Sequence, residues 1–407
     1  MLHPTLIFAA RNLLRQRTRT AVTLVAVIFG VVGLVLSGGF VQDVLLQLGE
    51  ALIHSRYGHV QISVVGFQEA GRRFPEQYLI EDPAAVRKTV AGVPSVDGLM
   101  ERVSFSGLLN NGKADFAIFG EGIEPERESK FSSYLRVTEG RKLQAGDQYG
   151  ALVGAGVAHA LSLKVGDRVT LLANSIDGAV STLDLEVVGI FNSFSKDFDA
   201  RAVRIALPAA NELLGSPGVN TLVVSLAQTA ATRETVERMR AALDPARYEV
   251  KAWYELSDFY DKTAALYERQ FGVLRLIVLL MLLLGVANSV NMNVAERTGE
   301  FGTMRALGNR RANVFRLIVA ENVILGFCGA GAGVLLGVLL SLAISAIGIP
   351  MPPPPNSDLG YTASIRIVPL QVTAAFTVGV LATVLASFIP ARRATAIPVS
   401  EALKQWT

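Results

Sequence analysis

The 407-residue chain is 51% hydrophobic and only 18% charged, with a mean hydropathy of +0.39, values that exclude an ordinary soluble domain and point to a membrane protein. Its net charge of +3 comes from basic residues placed beside apolar runs, with no basic face carrying interleaved aromatics, so membrane orientation explains the charge and nucleic-acid binding does not. The single cysteine, Cys328, lies in an apolar run, which rules out an intrachain disulfide or a thiolate metal cluster.

In residues 1–19, Leu6, Ala10, Leu13 and Leu14 share one helical face with Arg11 and Arg15 opposite, the pattern of a short helix lying in a membrane interface. Residues 20–42 follow as a first apolar run. A bilayer core of about 30 Å needs roughly 20 such residues in a helix. The run is too long for a signal-peptide core and no A-x-A site closes it, so it reads as an uncleaved signal anchor. It contains Leu36-Ser37-Gly38-Gly39-Phe40, which imitates a nucleotide-binding signature; small residues there serve close helix packing instead.

Residues 43–275 change character. Short alternating segments separated by Gly, Asp, Asn and Pro predict a folded α+β domain. His59–Val64 reads as a strand, Pro83–Ala91 as a helix and Ser95–Phe105 as a return strand; Thr221–Leu226, Thr232–Leu243 and Tyr248–Ala252 repeat that order. Between them Ala151–Val153, Arg168–Leu172, Leu183–Phe191 and Ala202–Leu207 read as strands of an inserted, mainly-β lobe spanning about 107–207. Gly107 to Lys113 fits G-x-x-x-x-G-K, but Ala114 stands where a P-loop needs Ser or Thr, and the segment reads as a hairpin turn. Val41, Leu45, Leu48 and Leu52 extend the first run on one helical face, and Leu256, Tyr260, Ala264, Tyr267 and Phe271 lead into the second, which predicts a two-helix stalk.

Three more apolar runs follow at 276–295, 317–350 and 367–391, separated by a loop at 296–316 and a short one at 351–366, with a tail at 392–407. In the second, Asn288 and Asn291 lie one helical turn apart, where polar side chains are expensive in lipid; they are expected to hydrogen-bond between helices. In the third, Gly329, Gly333 and Gly337 form a ridge suited to close packing inside the protomer. Arg11, Arg15, Arg17 and Arg19 precede the first run, Arg297, Arg305, Arg310, Arg311 and Arg316 fill the loop at 296–316, and Arg392, Arg393 and Lys404 follow the last. The positive-inside rule then puts both termini and that loop in the cytoplasm and the large domain outside.

The fold class expected is an α-helical membrane protein of four transmembrane helices with a large exported α+β domain between the first and second. His3, His54, His59 and His159 lack ligand spacing, no serine has a nucleophile setting, and Asp197 and Asp199 sit in a turn. No catalytic, cofactor-binding or metal residue is therefore assigned, and any energy for transport must come from another subunit.

The loop after the second run reads Glu296-Arg297-Thr-Gly-Glu300-Phe301-Gly302-Thr-Met304-Arg305-Ala306-Leu307-Gly308-Asn309. It resembles the E-R-x-x-E-[IF]-G-x-x-[RK]-A-L-G-A segment of MacB- and FtsX-like ABC transporter permeases. Ala10-Arg11-Asn12-Leu13, Leu163 to Asp167 with Val187 to Phe191, and Pro390 to Ala394 with Pro398 to Leu403 are similar to other segments of that superfamily, so the resemblance covers nearly the whole chain. It implies a bacterial inner-membrane permease with a periplasmic domain, in which Glu300, Phe301, Met304, Arg305, Leu307 and Gly308 belong to a coupling helix seated in a groove of a cytoplasmic ABC ATPase dimer; ATP and magnesium belong to that ATPase. Phe301, Met304 and Leu307 read as its apolar contact face, Glu300 and Arg305 as its flanks, Arg297 as an exposed position at its rim, Gly308 as its stop and Asn309 as the cap of the next helix.

Gly58 to Ile62 and the overall length look most like the lipoprotein-releasing (Lol) permeases, which implies a second permease chain, a lipoprotein or other amphipathic cargo taken from the outer leaflet, and a periplasmic chaperone or adaptor. The short polar hairpin from Ala173 to Asp184, with Asp177-Gly178, departs from the longer hook that receives the chaperone in that group. Two further readings stand beside this one: a signalling subunit of the FtsX kind that activates a cell-wall hydrolase, and efflux of small molecules or peptides of the MacB kind. The orientation is directly testable. With Cys328 replaced, a cysteine at Asp177 should react with a membrane-impermeant maleimide in intact spheroplasts and one at Asn309 only after permeabilisation; the reverse order would invert the topology.

Overall fold

The computed structural model describes residue 12 and residues 17–71, 74–353 and 360–404. They fall into two compact units, one from within Met1–Leu45, Ala264–Pro350 and Thr362–Thr407, the other from Leu46–Thr263 and Met351–Tyr361. The interfacial helix expected at 1–19 lies almost wholly outside the described residues.

Among the described residues, four helices are long and apolar enough to cross a membrane. The span 1 helix is Arg17–Leu52, span 2 is Asp258–Glu296, span 3 is Arg311–Ile347 and span 4 is Pro369–Ala396. In the first unit, Val27, Val31 and Val35 of span 1 meet Leu282, Val286, Val290 and Val294 of span 2 in one buried cluster. Residues four apart repeat on the same helical face, so each set is one stripe turned inward. Large side chains on the opposite faces, such as Phe29 and Leu284, are exposed, as a surface solvated by acyl chains requires.

The glycines of span 3 set how close span 1 can come. A Cβ added at Gly329 would stand 2.9 Å from Val27 Cβ, at Gly333 2.8 Å from Val31 Cβ, and at Gly337 3.1 Å from Val35 Cβ. Gly379 of span 4 meets Val31 from another side, its added Cβ 2.5 Å from Val31 Cγ2. Val31 is thus enclosed by two glycine-lined helices. At the far end of span 1, added Cβ atoms at Gly38 and Gly39 would press on Gln371 Oε1 and the Arg366 carbonyl, so the signature-like segment is a packing site. Asn288 and Asn291 differ from expectation. Both are exposed and neither side chain has a hydrogen-bond partner among the described residues, because the inward stripe of span 2 is carried by the valines and these two asparagines fall off it.

The second unit is organised by one ten-stranded sheet. Its strands are β1 (Val60–Val64), β2 (Val96–Asn110), β3 (Asp115–Ile123), β4 (Arg136–Gly140), β5 (Gly150–Gly154), β6 (Arg168–Asn174), β7 (Val180–Asn192), β8 (Ala202–Ala206), β9 (Thr221–Leu226) and β10 (Tyr248–Ala252). The order is β10-β1-β9-β2-β3-β8-β5-β7-β4, with β6 bridging β2 and β7. Helices Pro83–Ala91 and Thr232–Ala242 connect β1 to β2 and β9 to β10. Those four strands therefore form a split β-α-β sheet, spatial order 4-1-3-2, and β3 to β8 are the insertion. The insertion is not a detached lobe: β2 pairs β9 through Val96–Arg102 and then β3 and β6 up to Asn110, so one long strand belongs to both parts. The P-loop-like segment is the β2–β3 hairpin, where Asn111 Oδ1 accepts from the amides of Lys113 and Ala114 and Gly112 takes φ +81°.

A buried charge network lies inside this unit. Arg102 and Arg204 are 4% and 1% exposed, and they meet Glu128 and Glu121, 3% and 6% exposed. Each guanidinium also donates to a carbonyl of the π-helical turn Ile53–Tyr57 that ends the first helix, Arg102 to Arg56 O and Arg204 Nη2 to Ser55 O at 3.3 Å. Cations suit the carbonyl end of a helix. Burial alone would raise the Glu128 carboxyl; Arg102 and Arg204 outweigh it and hold the group below the usual carboxylate range. Beside this network His59, 1% exposed, accepts from the Leu226 amide at Nδ1, 3.2 Å, and its Nε2 donates to Thr229 Oγ1, 3.1 Å, which donates to Glu50 Oε1, 2.6 Å. A histidine that accepts at one ring nitrogen must be neutral. Burial first, then the neighbouring His54, lower its pKa to about 4.

Two predictions follow from these contacts. Gly333→Leu, against Val31, should destabilise the membrane unit by about 1–3 kcal/mol or more, whereas Gly331→Leu, with nothing within 4 Å of an added Cβ, should be close to neutral in a detergent thermal-shift assay. The second concerns pH. Because the folded pKa of His59 (about 4) lies below the unfolded value of about 6.5, its neutral form contributes stability above pH 6.5 that is lost as pH falls toward 4. The loss should be on the order of 3 kcal/mol. Hydrogen-exchange protection of the β1 and β9 amides, corrected for intrinsic rates, should fall across that window, and His59→Gln should remove most of the dependence.

Candidate functional site: the connector between spans 2 and 3

The connector begins where Arg297 ends the helical run of span 2. Thr298–Ala306 then forms a short helix. Gly308 stops it with φ +94°, and the amides of Gly308 and Asn309 donate to the carbonyls of Arg305 and Met304, both at 3.1 Å. This is a Schellman turn, which needs the left-handed conformation that glycine adopts without strain. Span 3 starts at Arg311 with Arg310 in the capping position and no side-chain cap, so Asn309 is spent on closing the first helix and does not cap the next one.

The expected contact face divides in two. Phe301 is only 2% exposed and belongs to the buried cluster of the spans, Met304 packs half-buried against the same cluster, and Leu307 is 82% exposed. Gly302 faces the terminal helix Val399–Lys404, where an added Cβ would come within 2.8 Å of Ala402 Cβ. The connector helix therefore turns its first apolar residues toward the chain's own core. Periodicity marks a stripe but not the surface that covers it. What remains exposed is the C-terminal tip: Ala306, Leu307, Gly308 and Asn309, followed by Arg310 and Arg311.

Two arginines fix the helix at its ends. Arg305 donates to the carbonyls of Thr395, 3.5 Å, and Ile397 at the end of span 4. Arg297, expected as an exposed flank, is 5% exposed. Its Nη1 bonds Glu321 Oε2 of span 3 at 2.7 Å, its Nε bonds Glu300 Oε2 at 3.0 Å, and its guanidinium lies 5.0 Å from the Phe301 ring centroid. Glu321 is 4% exposed, and its other oxygen accepts from Asn12 Nδ2 at 2.9 Å. Burial of the arginine follows from this pairing, because an ion leaves water only for a partner. Around the pair, Thr23, Ser289, Asn293 and Asn322 line a cavity of about 10 Å³, the size of one water. Thr23 and Ser289 bond each other across spans 1 and 2, while the buried Asn322 Oδ1 has no hydrogen-bond partner among the described residues.

Of the residues expected in the coupling segment, Glu300, Phe301, Met304 and Arg305 lie on the helix Thr298–Ala306, and Leu307 and Gly308 lie in the turn that closes it. Sequence reading missed Glu321, Asn322 and Asn293, although a lone carboxylate near the start of a long apolar run is itself a signal. No group of three or more His, Cys, Asp or Glu able to hold a metal occurs among the described residues.

Comparison with known proteins places this arrangement. Residues 20–242 match the model of the MacB-like periplasmic core domain, and residues 272–399 match that of the FtsX-like permease C-terminal region. The chain is 25% identical over 358 residues to an uncharacterized ABC transporter permease of Methanocaldococcus jannaschii, covering 84% of both chains. It is 23% identical over 349 residues to the lipoprotein-releasing system transmembrane protein LolC of Neisseria meningitidis serogroup B, covering 81% of this chain and 78% of LolC. Against the pyoverdine export ATP-binding/permease protein PvdT of Pseudomonas syringae pv. tomato, identity is 25% over 405 residues, with 95% of this chain covered and 57% of PvdT. The first of these models covers more than half of the chain, the second covers spans 2 to 4 with the anchored connector, and the chain belongs to the MacB/FtsX-like superfamily of ABC transporter permeases.

Proposed function

We propose that this permease converts the closing of a separate cytoplasmic ABC ATPase dimer into movement of its exported domain, with the connector as the ATPase contact. The observation that carries the reading is the exposed Leu307 at the tip of a helix whose Phe301 is buried, whose Met304 is half-buried and whose two ends are tied to spans 3 and 4. A large exposed leucine beside a rigid turn, with Arg310 and Arg311 next to it, suits insertion into a partner's groove. A load applied there has little slack to absorb it. Span 1 continues helically as far as Leu52, and span 2 is helical from Asp258, so each offers a stiff element toward the exported side.

On this reading two permease chains work together in a bacterial inner membrane, with termini and connector in the cytoplasm. The exported domains expel a lipoprotein or another amphipathic cargo from the outer leaflet, with or without a periplasmic chaperone or adaptor. The domain's two β-α-β halves and its insertion favour transport over bare signalling, which needs less exported surface. Asn288 and Asn291, exposed on span 2 and without hydrogen-bond partners among the described residues, suit the contact with the second permease chain or the cargo.

The test is Leu307→Glu. Burying an unpaired carboxylate in a groove costs roughly 2–4 kcal/mol, or about thirty- to a thousand-fold in affinity. The chain should reach normal membrane levels, while the nucleotide-binding subunit that copurifies with the tagged protein in mild detergent, identified by mass spectrometry and ATP hydrolysis, should be lost. Phe301→Ala should instead lower thermal stability by about 3–5 kcal/mol. Full recovery of the ATPase with Leu307→Glu would refute the contact.

A further inference from the structure

The ion pair under the connector is more than support for one helix. Arg297 stands at the junction of span 2 and the connector, Glu300 on the connector, Glu321 ten residues into span 3, and Asn12 in the segment before span 1. All are joined through Glu321 and Arg297 by hydrogen bonds of 2.7 to 3.0 Å. Phe301 covers one side of the guanidinium, and the polar walls of the small cavity, Thr23, Ser289 and Asn293, cover another. The pair is hence shielded from lipid, and among the described residues Arg297 forms ion pairs with Glu300 and Glu321 alone.

We propose that Arg297 and Glu321 are positioning residues for coupling: a directional, buried joint that makes spans 2 and 3 move with the connector as one piece. The helix is interrupted at Arg297, where the Arg297 amide donates to Asn293 O at 3.2 Å, the Phe301 amide to Arg297 O at 3.0 Å, and the hydroxyl of Thr298 turns back to the carbonyls of Val294 and Ala295, 3.0 and 2.9 Å. These local bonds leave the junction able to bend unless longer side-chain contacts brace it. The bonds from Arg297 forward to Glu300 and sideways to Glu321 cross it. An apolar pair of similar volume would fill the same space, yet it would slide, because dispersion contacts have no preferred direction and ionic hydrogen bonds do. The structure therefore assigns to this pair a mechanical role that packing cannot replace. The buried Asn322 oxygen at the edge of the one-water cavity, without a partner among the described residues, gives the joint a polar seat for a single water that would complete it. The inference rests on the connector being the ATPase contact, but its first readout does not.

The experiment compares the full-length protein in lipid nanodiscs with Glu321→Gln, Glu321→Asp and the double variant Arg297→Met/Glu321→Leu. In the chain alone, hydrogen exchange of the connector amides from Thr298 to Gly302 should rise at least tenfold in Glu321→Gln and in the double variant, with Glu321→Asp closer to the parent. The double variant removes the unpaired charge, so its thermal midpoint should match the parent even where Glu321→Gln is destabilised. With the ATPase bound, both charge-deleting variants should retain it within about twofold, because Leu307 is untouched, while the ATP-driven change in exchange of the exported domain falls at least tenfold. Parent-like connector exchange, or a parent-like ATP response in the double variant, would overturn the proposal. Failure of the ATPase contact itself would appear separately, as indifference to Leu307→Glu.

Discussion

The membrane unit depends on span 3 lying against span 1 with no side chain of its own between them at three successive turns. Gly329, Gly333 and Gly337 bring the backbone of one helix onto Val27, Val31 and Val35 of the other. In lipid there is no hydrophobic gain from burying one aliphatic surface on another, so close contact must come from shape. Once that distance is set, the polar groups lower in the bundle come within reach: Thr23 meets Ser289, and Glu321 meets both Asn12 and Arg297. The charged joint is a consequence of the glycine ridge as much as of its own residues.

The exported unit answers a similar demand by another route. It buries Arg102 and Arg204 and surrounds them with Glu121, Glu128 and the carbonyls of Ser55 and Arg56. A buried charge group of this kind adds little stability over an apolar core, but it tolerates few alternative arrangements, since any slip leaves a charge unpaired. Its value is in fixing where the π-helical turn after Leu52 ends and β1 begins. The neutral His59 next to it fixes the same junction through Leu226 and Thr229.

Much of this was legible in the residues. Apolar runs gave the four spans, alternation gave most strands, and the spacing of Gly329, Gly333 and Gly337 gave a packing surface, because each of these is a local property of consecutive positions. Arg297 was misplaced because its partner is 24 residues away and nothing local distinguishes an arginine that finds a carboxylate from one that stays in water. Phe301 and Leu307 were put on one face for a related reason. They are close to two turns apart on a short helix, but the helix is tipped into the core at its start and leaves it at Gly308, and only the position of spans 3 and 4 decides where that exit occurs. The single sheet was hidden in the same way: β2 reads as one strand whether or not its two ends have different neighbours.

That sheet also sets an order in time. β1, near the beginning of the exported domain, pairs on one side with β9 and on the other with β10, the last two strands of the domain to leave the ribosome. Its edges therefore stay bare while almost the whole domain is being made, and this end of the sheet closes only with the final strands. Contacts this distant in sequence fold slowly and leave unpaired strand edges open to aggregation meanwhile. The insertion, joined along the chain by the hairpins β2–β3 and β6–β7, is free to assemble first and wait. During synthesis the middle of the domain becomes the template, and the half that holds β1, β9 and β10 is completed upon it.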